Sequence, residues 1–344
     1  MSTSSSIESK QDLGTGLRQL EALVGKTPVQ KLYMPKIELL CKLEYMNYTG
    51  SIKDRPAFFV IKNAVQSGEI NQSTTIIESS SGNFASSLST FSKFLGIQFQ
   101  PVIDPNITKI YENFLNVSCE TVHKVTERDA HGGYQRIRIK KVQDLLNGIG
   151  NSYWPNQYAN PSCQEAHYLS TGGEVCDQID QLDFAFIAVS SGGCIAGLSN
   201  RLRENYPGIK IIAVDAVGSV IFSDKACPRY IPGVGSTSRP ALVDEATIDE
   251  VVHVPEPETI AACLELVDVH GMFGGGSTGT VYAAIKSYFA AYRGLAKPKV
   301  LMFAADRGHA YLDTIYNPTW QSWLYSQHSK SATPRANDEV VARL

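Results

Sequence analysis

Short apolar runs rich in branched residues alternate along this chain with longer stretches in which apolar positions recur every three or four residues. The runs Leu39 to Leu43, Thr75 to Glu78, Phe99 to Ile103, Ala185 to Val189, Lys210 to Ala216, Val251 to Val254 and Lys299 to Ala304 read as strands, and the stretches between them as helices. Strands that alternate with helices in this way pair in parallel and are covered by helices, so the pattern predicts the α/β class. Residues 148 to 165, with Gly148, Gly150, Asn151, Pro155, Asn156, Asn160 and Pro161, read as a loop dividing two α/β halves, with a ligand cleft expected between them. The ends, residues 1 to 15 and 329 to 344, are polar and aperiodic and read as tails.

The best strands run into glycine and serine turns that open helices, the place where open α/β sheets collect ligands. Ile187-Ala188-Val189 leads into Ser190-Ser191-Gly192-Gly193-Cys194, where glycines let the backbone curl, hydroxyls donate, and a helix start offers unpaired amides. This is a cup for a phosphate carried on a small cofactor, although tight strand-to-helix packing uses the same glycines. Neither the lysine of a P-loop nor a dinucleotide fingerprint accompanies it. Ile76-Ile77-Glu78 leads into Ser79-Ser80-Ser81-Gly82-Asn83, a run of hydroxyls suited to an α-carboxylate, with Asn83 able to bond a phenolic oxygen. A serine cap and a turn glycine account for only part of that run. Phe273-Gly274-Gly275-Gly276-Ser277-Thr278-Gly279-Thr280 precedes a helix expected to begin near Val281; its glycines let a flat ring approach, and Ser277 can meet a ring nitrogen. A neutral hydroxyl there leaves a pyridine less protonated than a carboxylate would, which favours elimination over transamination.

In Asn47-Tyr48-Thr49-Gly50-Ser51-Ile52-Lys53-Asp54-Arg55-Pro56-Ala57 a glycine-serine turn delivers Lys53 to the start of a helix-like segment. The helix dipole and the neighbouring Arg55 disfavour its charged form, which makes the amine a candidate for Schiff-base chemistry. An isolated lysine of this kind is more often part of a solvated first turn. Three ligand-ready loops elsewhere in the chain favour the chemical reading.

Composition narrows the field. A chain of 344 residues with 43% hydrophobic content holds two ordinary cores, and a formal charge of −3 without a basic block argues against nucleic acid or an anionic membrane as partner. Seven scattered cysteines without a C-x-x-C pair suggest reduced thiols, with neither disulfides nor a metal site. The first ten residues lack the apolar core of a secretion signal and no run is long enough to span a bilayer, so a cytoplasmic location is expected.

Gly50-Ser51-Ile52-Lys53-Asp54-Arg55, Ser80-Ser81-Gly82-Asn83, the serine-glycine cup and Gly276-Ser277-Thr278-Gly279 stand in the order and spacing of the cysteine synthase and cystathionine β-synthase family of fold-type II pyridoxal-phosphate enzymes, which they resemble. Val24-Gly25-Lys26-Thr27-Pro28-Val29 also resembles that family's N-terminal segment, and the resemblance runs from about residue 20 to 320. It implies two open, twisted, mostly parallel sheets with helices on both faces. A larger cofactor-binding domain would comprise residues 16–48 and 155–328, and a smaller mobile domain residues 49–154 with the substrate loop. It also implies pyridoxal 5'-phosphate held as a Schiff base by Lys53, which then serves as the base, with Asn83 on the phenolic oxygen. Ser190, Ser191, Gly192, Gly193 and Cys194 would bind the phosphate and Ser277 the ring nitrogen, while Ser79, Ser80, Ser81, Gly82 and Asn83 would grip the substrate carboxylate. Cys194 then contributes an amide rather than a nucleophile. A homodimer is the family's usual assembly.

The sequence departs from ordinary cysteine synthases where Phe84-Ala85 follow Asn83 and where Ser190 replaces a glycine. Lys42 to Asn47, Asp129 to Tyr134, Asn156 to Asn160, Val214 to Phe222 and Asp306-Arg307-Gly308 resemble instead the branch that makes N-(2-amino-2-carboxyethyl)-L-glutamate, a diaminopropionate precursor for siderophores and antibiotics. That resemblance implies O-phospho-L-serine and L-glutamate as substrates, with phosphate eliminated to an aminoacrylate before the amine adds. Arg138, Tyr158 and Ser190 are candidates to receive the phosphate, and His131 and Asp306 form a second tier. The alternative for Arg138 is a surface arginine; Tyr158 could equally be a loop anchor, His131 a turn residue and Asp306 a helix cap. A cysteine synthase using sulfide, or a catalytically silent binding relative, are the alternatives.

Overall fold

The computed structural model describes residues 12–128, 133–294, 296–331 and 341–343. All seven predicted strands form, in two sheets. The chain divides into two compact units, Met1–Val24 with Ala57–Asn156 and Gly25–Pro56 with Gln157–Leu344.

The strands in chain order are β1 (Val29–Leu32), β2 (Glu38–Lys42), β3 (Thr75–Ser79), β4 (Gln98–Ile103), β5 (His123–Lys124), β6 (Ser152–Tyr153), β7 (Phe184–Ala188), β8 (Lys210–Ala216), β9 (Glu250–Val254), β10 (Lys299–Phe303) and β11 (Val341–Arg343). The smaller unit holds a parallel sheet in the order β5-β4-β3-β6. Ile76 of β3 is fully buried in a core with Phe84, Leu88 and Phe91 of the helix Asn83–Leu95, and Leu17 and Leu20 of the helix Leu13–Leu23 join the same core. That first helix begins at Leu13, inside the stretch expected to be tail, because Asp12 caps it by accepting from Thr15 N at 3.1 Å.

The larger unit holds seven strands in the order β1-β2-β10-β7-β8-β9-β11, parallel except for the outer pairs β1–β2 and β9–β11. Side chains of β8 and β10 alternate between two cores: Ile212, Val214, Val300 and Met302 lie in one, Ile211, Ala213, Leu301 and Phe303 in the other. Both faces are covered, which is why these strands read as unbroken apolar runs. The segment expected to be loop at 148–165 also carries β6 and a helix start at Pro161, capped by Asn160 accepting from Ser162 N at 2.9 Å. From there one helical rod runs to Gln178, with α-helical turns at Pro161–Ala166 and Gly173–Gln178 and a π-helical stretch at His167–Gly172 between them.

That rod presents Glu174 to a buried ionic cluster in the larger unit. Arg55, fully buried, donates from Nε and Nη2 to Glu44 at 2.6 and 2.7 Å, and from Nη1 and Nη2 to Glu174 at 2.7 and 2.9 Å. Lys42 Nζ adds bonds to Glu174 Oε2 at 2.7 Å and to the Thr27 carbonyl, and Glu174 also accepts from the Lys26 and Thr27 amides. Two cations face two carboxylates, so the group is neutral overall and every charge is hydrogen-bonded, the condition on which buried ions are tolerated. Burial would raise the Glu174 carboxyl, but Arg55 and then Lys42 hold it down at about 2.

Arg55→Met leaves Glu44 in the core without a cation and Glu174 with Lys42 alone, and is expected to cost about 3–5 kcal/mol in urea unfolding. Because the folded pKa of Glu174 lies below its ordinary value, its contribution is complete above about pH 4.5 and is lost as pH falls toward 2. The acid limb of the stability profile should therefore flatten in Glu174→Gln; an unchanged limb would contradict the charge network.

Candidate functional site

Lys53 immediately precedes the helix Asp54–Gln66 and follows a turn in which Gly50 has φ +91°. The turn is stitched to the end of β10, with Ile52 N donating to the Ala305 carbonyl at 2.8 Å and Ser51 forming a β-bridge with Asp306. Lys53 is partly buried, and its Nζ donates to Ser191 Oγ at 3.3 Å. Burial lowers its pKa, against smaller opposing effects of Cys194, Cys163 and Asp306. The expected cause is thereby corrected: Arg55 does not act on this amine, because its guanidinium is spent on Glu44 and Glu174. His167, which is buried, is held neutral chiefly by desolvation and then by Lys53 and Arg55, with Nδ1 3.0 Å from Thr171 Oγ1.

Ser190 to Cys194 join β7 to the helix Gly193–Asn205. Gly192 has φ +90°, and a Cβ there would lie 2.8 Å from Val243 N, so only glycine closes this turn. The amides of the following helix start are those that a helix leaves without internal partners. Ser190 Oγ donates to the Gly235 carbonyl at 3.4 Å, and burial pushes the Cys194 thiol up to about 12, which removes it as a nucleophile.

The helix carrying Ser277 starts at Gly276, not near Val281, with Gly275 as its cap. A glycine-rich stretch reads as loop by propensity, but here the glycines are imposed by packing: a Cβ on Gly275 would collide with Asp306 Oδ1. Ser277 is buried in the first turn of that helix. Thr278 is fully buried, and its Oγ1 has no partner among the described residues. Asp306 is buried, accepts from Tyr311 Oη at 2.8 Å through Oδ2, and does not cap a helix. Thus Lys53, Ser190 to Cys194, Ser277 and Asp306 all belong to the larger unit. So does Tyr158, half-buried in the turn before Asn160.

The serine run belongs to the smaller unit. Ser79 is the last residue of β3 and wholly buried, and Ser80 Oγ accepts from Ala85 N at 3.2 Å. Ser81 Oγ accepts from Asp104 N at 3.2 Å and from Arg138 Nη1 at 3.0 Å, and donates to Asp104 Oδ2 at 3.3 Å. Gly82 caps the helix that Asn83 opens, and Asn83 Oδ1 accepts from Tyr111 Oη. Arg138 is no surface arginine: its side chain is 12% exposed and pairs through Nε with Asp104 at 3.2 Å. His131 lies outside the described residues.

Several neighbours of these groups escaped sequence reasoning. Asp104, Tyr111, His167 and Tyr311 stand in no motif. The turn Pro232-Gly233-Val234-Gly235 carried a signal in its Pro-Gly pair. Gly233 and Gly235 have φ +100° and +77°, and a Cβ on Gly233 would lie 3.6 Å from Tyr311 Oη and 4.0 Å from Ser277 Cβ.

Comparison with known proteins gives a family match and several structural ones. The family model described as pyridoxal-phosphate dependent enzyme matches residues 20–306. The O-acetylserine dependent cystathionine β-synthase of Helicobacter pylori is 26% identical, with 87% of this chain and 98% of that chain covered and a TM-score of 0.78. A hydrogen sulfide-producing enzyme from Fusobacterium nucleatum is 25% identical, covers 85% of this chain and 99% of its own, and has a TM-score of 0.79. A variant of O-ureido-L-serine synthase bound to O-ureido-L-serine, at 21% identity, TM-score 0.81 and coverage of 90% and 98%, shares the fold.

The lowered pKa of Lys53 makes more of it neutral near pH 7.5 than of any solvated lysine. Brief exposure of cofactor-stripped protein to pyridoxal phosphate, then borohydride, should tag Lys53 first on peptide mass mapping; equal tagging of exposed Lys31 would contradict this.

Proposed function

The chain belongs to the pyridoxal-phosphate dependent enzymes, and from that premise we propose that it is a β-substituted alanine synthase that joins L-glutamate to the β-carbon of O-phospho-L-serine. The product is N-(2-amino-2-carboxyethyl)-L-glutamate, with inorganic phosphate released. The residues fit the cofactor. Lys53 offers a partly buried amine whose hydrogen-bond partner is a hydroxyl, and Ser190 to Cys194 offer hydroxyls and helix-start amides to a phosphate. The Thr278 hydroxyl, unpartnered among the described residues, marks a polar demand near Ser277 that the protein leaves unmet.

When bound, the cofactor supplies an electron sink that loosens the α-proton and the β-substituent. Lys53 would hold it covalently until the substrate amine displaces Nζ, and the freed amine, whose pKa burial lowers, would take the α-proton and return it to the same carbon. Ser277 would offer the ring nitrogen a hydroxyl rather than a carboxylate, which would keep that nitrogen weakly basic and disfavour transamination. Asn83 would meet the phenolic oxygen, and Ser79 to Asn83 would receive the α-carboxylate. The Ser81 hydroxyl is already saturated by Asp104 and Arg138, so its contribution falls to the backbone amide. Arg138, with Tyr158 and Ser190, takes the departing phosphate with its bonding pair, and the incoming amine gives up one proton as the C–N bond forms.

The observation that carries the leaving-group assignment is Arg138, whose buried guanidinium is tied by Ser81 to the loop Ser79–Asn83. A neutral acetyl ester needs no such cation. A rival of the same chemistry is a cysteine synthase using O-acetylserine with sulfide; the name of the Helicobacter relative supports its O-acetylserine half. Incubation of the holoenzyme with O-phosphoserine or O-acetylserine, each with glutamate or sulfide, followed by mass analysis, separates the two; the glutamate adduct should form from O-phosphoserine alone. Lys53→Ala is expected to abolish both the cofactor's bound absorbance band and turnover, at least about 10³-fold, and a variant retaining turnover would refute the assignment of the base.

A further inference from the structure

Arg138 stands in the first turn of the helix Gln135–Gly148 and does not face its proposed anion unaccompanied. Its Nε lies 3.2 Å from Asp104 Oδ2, and Nη1 donates to Ser81 Oγ at 3.0 Å, while Nη2 has no partner among the described residues. Asp104 follows β4 and is itself fixed: Oδ1 accepts from Asn106 N at 2.8 Å, Oδ2 accepts from Ser81 Oγ at 3.3 Å, and its own amide donates back to Ser81 Oγ at 3.2 Å. The two charged side chains are only 12% and 7% exposed, so little water screens the charge of either.

Building on the proposed use of O-phosphoserine, we propose that Asp104 is a positioning residue that aims Arg138 and weakens its hold on phosphate, so that the product anion leaves. A carboxylate on one side of the guanidinium fixes the fork and leaves Nη2 to bond an oxyanion. The same carboxylate repels a dianion arriving at the other side, more strongly than it repels a monoanion and far more than a neutral ester. Without it, a buried arginine would trap phosphate after each turnover. With it, Ser81 ties the state of Arg138 to the loop that holds the substrate's carboxylate.

The test is titration calorimetry of holoenzyme with inorganic phosphate, in wild type, Asp104→Asn and Asp104→Asn/Arg138→Met. The asparagine side chain preserves an acceptor for Asn106 N; should that variant be insoluble, Asp104→Ser keeps an acceptor there without charge. The expected result is phosphate binding at least about tenfold tighter when the charge is removed, lost again when Arg138 is also replaced, with a lower kcat on O-phosphoserine preceded by a burst of one turnover. A purely structural role predicts the opposite sign, weaker phosphate binding, and that outcome or no change overturns the proposal. Acetate, titrated in parallel, separates the two sources of an oxyanion: tightening as large as for phosphate would assign the pair to the α-carboxylate and overturn its leaving-group role. Wild-type enzyme that fails to consume O-phosphoserine would overturn the substrate assignment instead, and the sign of the phosphate titration would still report on Asp104.

Discussion

The guanidinium of Arg55, caught between Glu44 and Glu174, is the constraint on which the larger unit's chemistry rests. It lies two residues beyond Lys53, at the root of the same helix, and its bonds to Glu44 and Glu174 fix that root in a buried setting where backbone freedom would otherwise let the lysine wander. Lys42 completes the balance of charge, and the amides of Lys26 and Thr27 draw the N-terminal segment into the same cluster. The consequence for Lys53 is indirect but decisive. The carboxylate charge of Glu44 and Glu174 is consumed by Arg55 and Lys42, so the catalytic candidate is left with a hydroxyl neighbour and a desolvated amine.

Around that amine the larger unit uses little side-chain bulk. Gly192, Gly233, Gly235 and Gly275 bring main chain close to Val243, Tyr311, Asp215 and Asp306 in turn, and the polar groups presented are mostly small hydroxyls. Such a surface suits a flat, phosphate-bearing cofactor whose reactivity is its own. In the smaller unit the ligand-ready loop is backed by charge instead, where Arg138 and Asp104 share one serine.

Much of this was legible in the sequence because strand and loop signals are local. Each strand buried on both faces left an unbroken apolar run, as in Lys210 to Ala216, and each ligand loop left its glycines beside a strand end. The hidden part depends on distance along the chain. The pairing of Arg55 with Glu174 spans 119 residues and that of Arg138 with Ser81 spans 57, and no periodicity encodes either. The Ser277 helix starts earlier than the sequence predicts for a related reason: glycine's poor helix propensity is a local signal, while the small size of Gly275 is required by the distant Asp306. The very short strands His123–Lys124 and Ser152–Tyr153 carry too few residues to show alternation at all.

The π-helical stretch at His167–Gly172 gives the rod Pro161–Gln178 a particular sensitivity to chain length. A π-turn accommodates one residue more than an α-turn, and each residue added to or removed from a helix rotates the downstream side chains by about 100°. Glu174 lies beyond that stretch, so its meeting with Arg55 and Lys42 depends on a local count as much as on its own identity. A single-residue deletion between His167 and Gly172 would be absorbed as the stretch closes up to ordinary α, whereas a deletion in the α-helical turns Pro161–Ala166 would swing the carboxylate off both cations while changing none of the motif residues. Among descendants of this sequence, gaps should therefore spare the α-helical turns of this rod, and a one-residue gap within it should fall in the π-helical stretch.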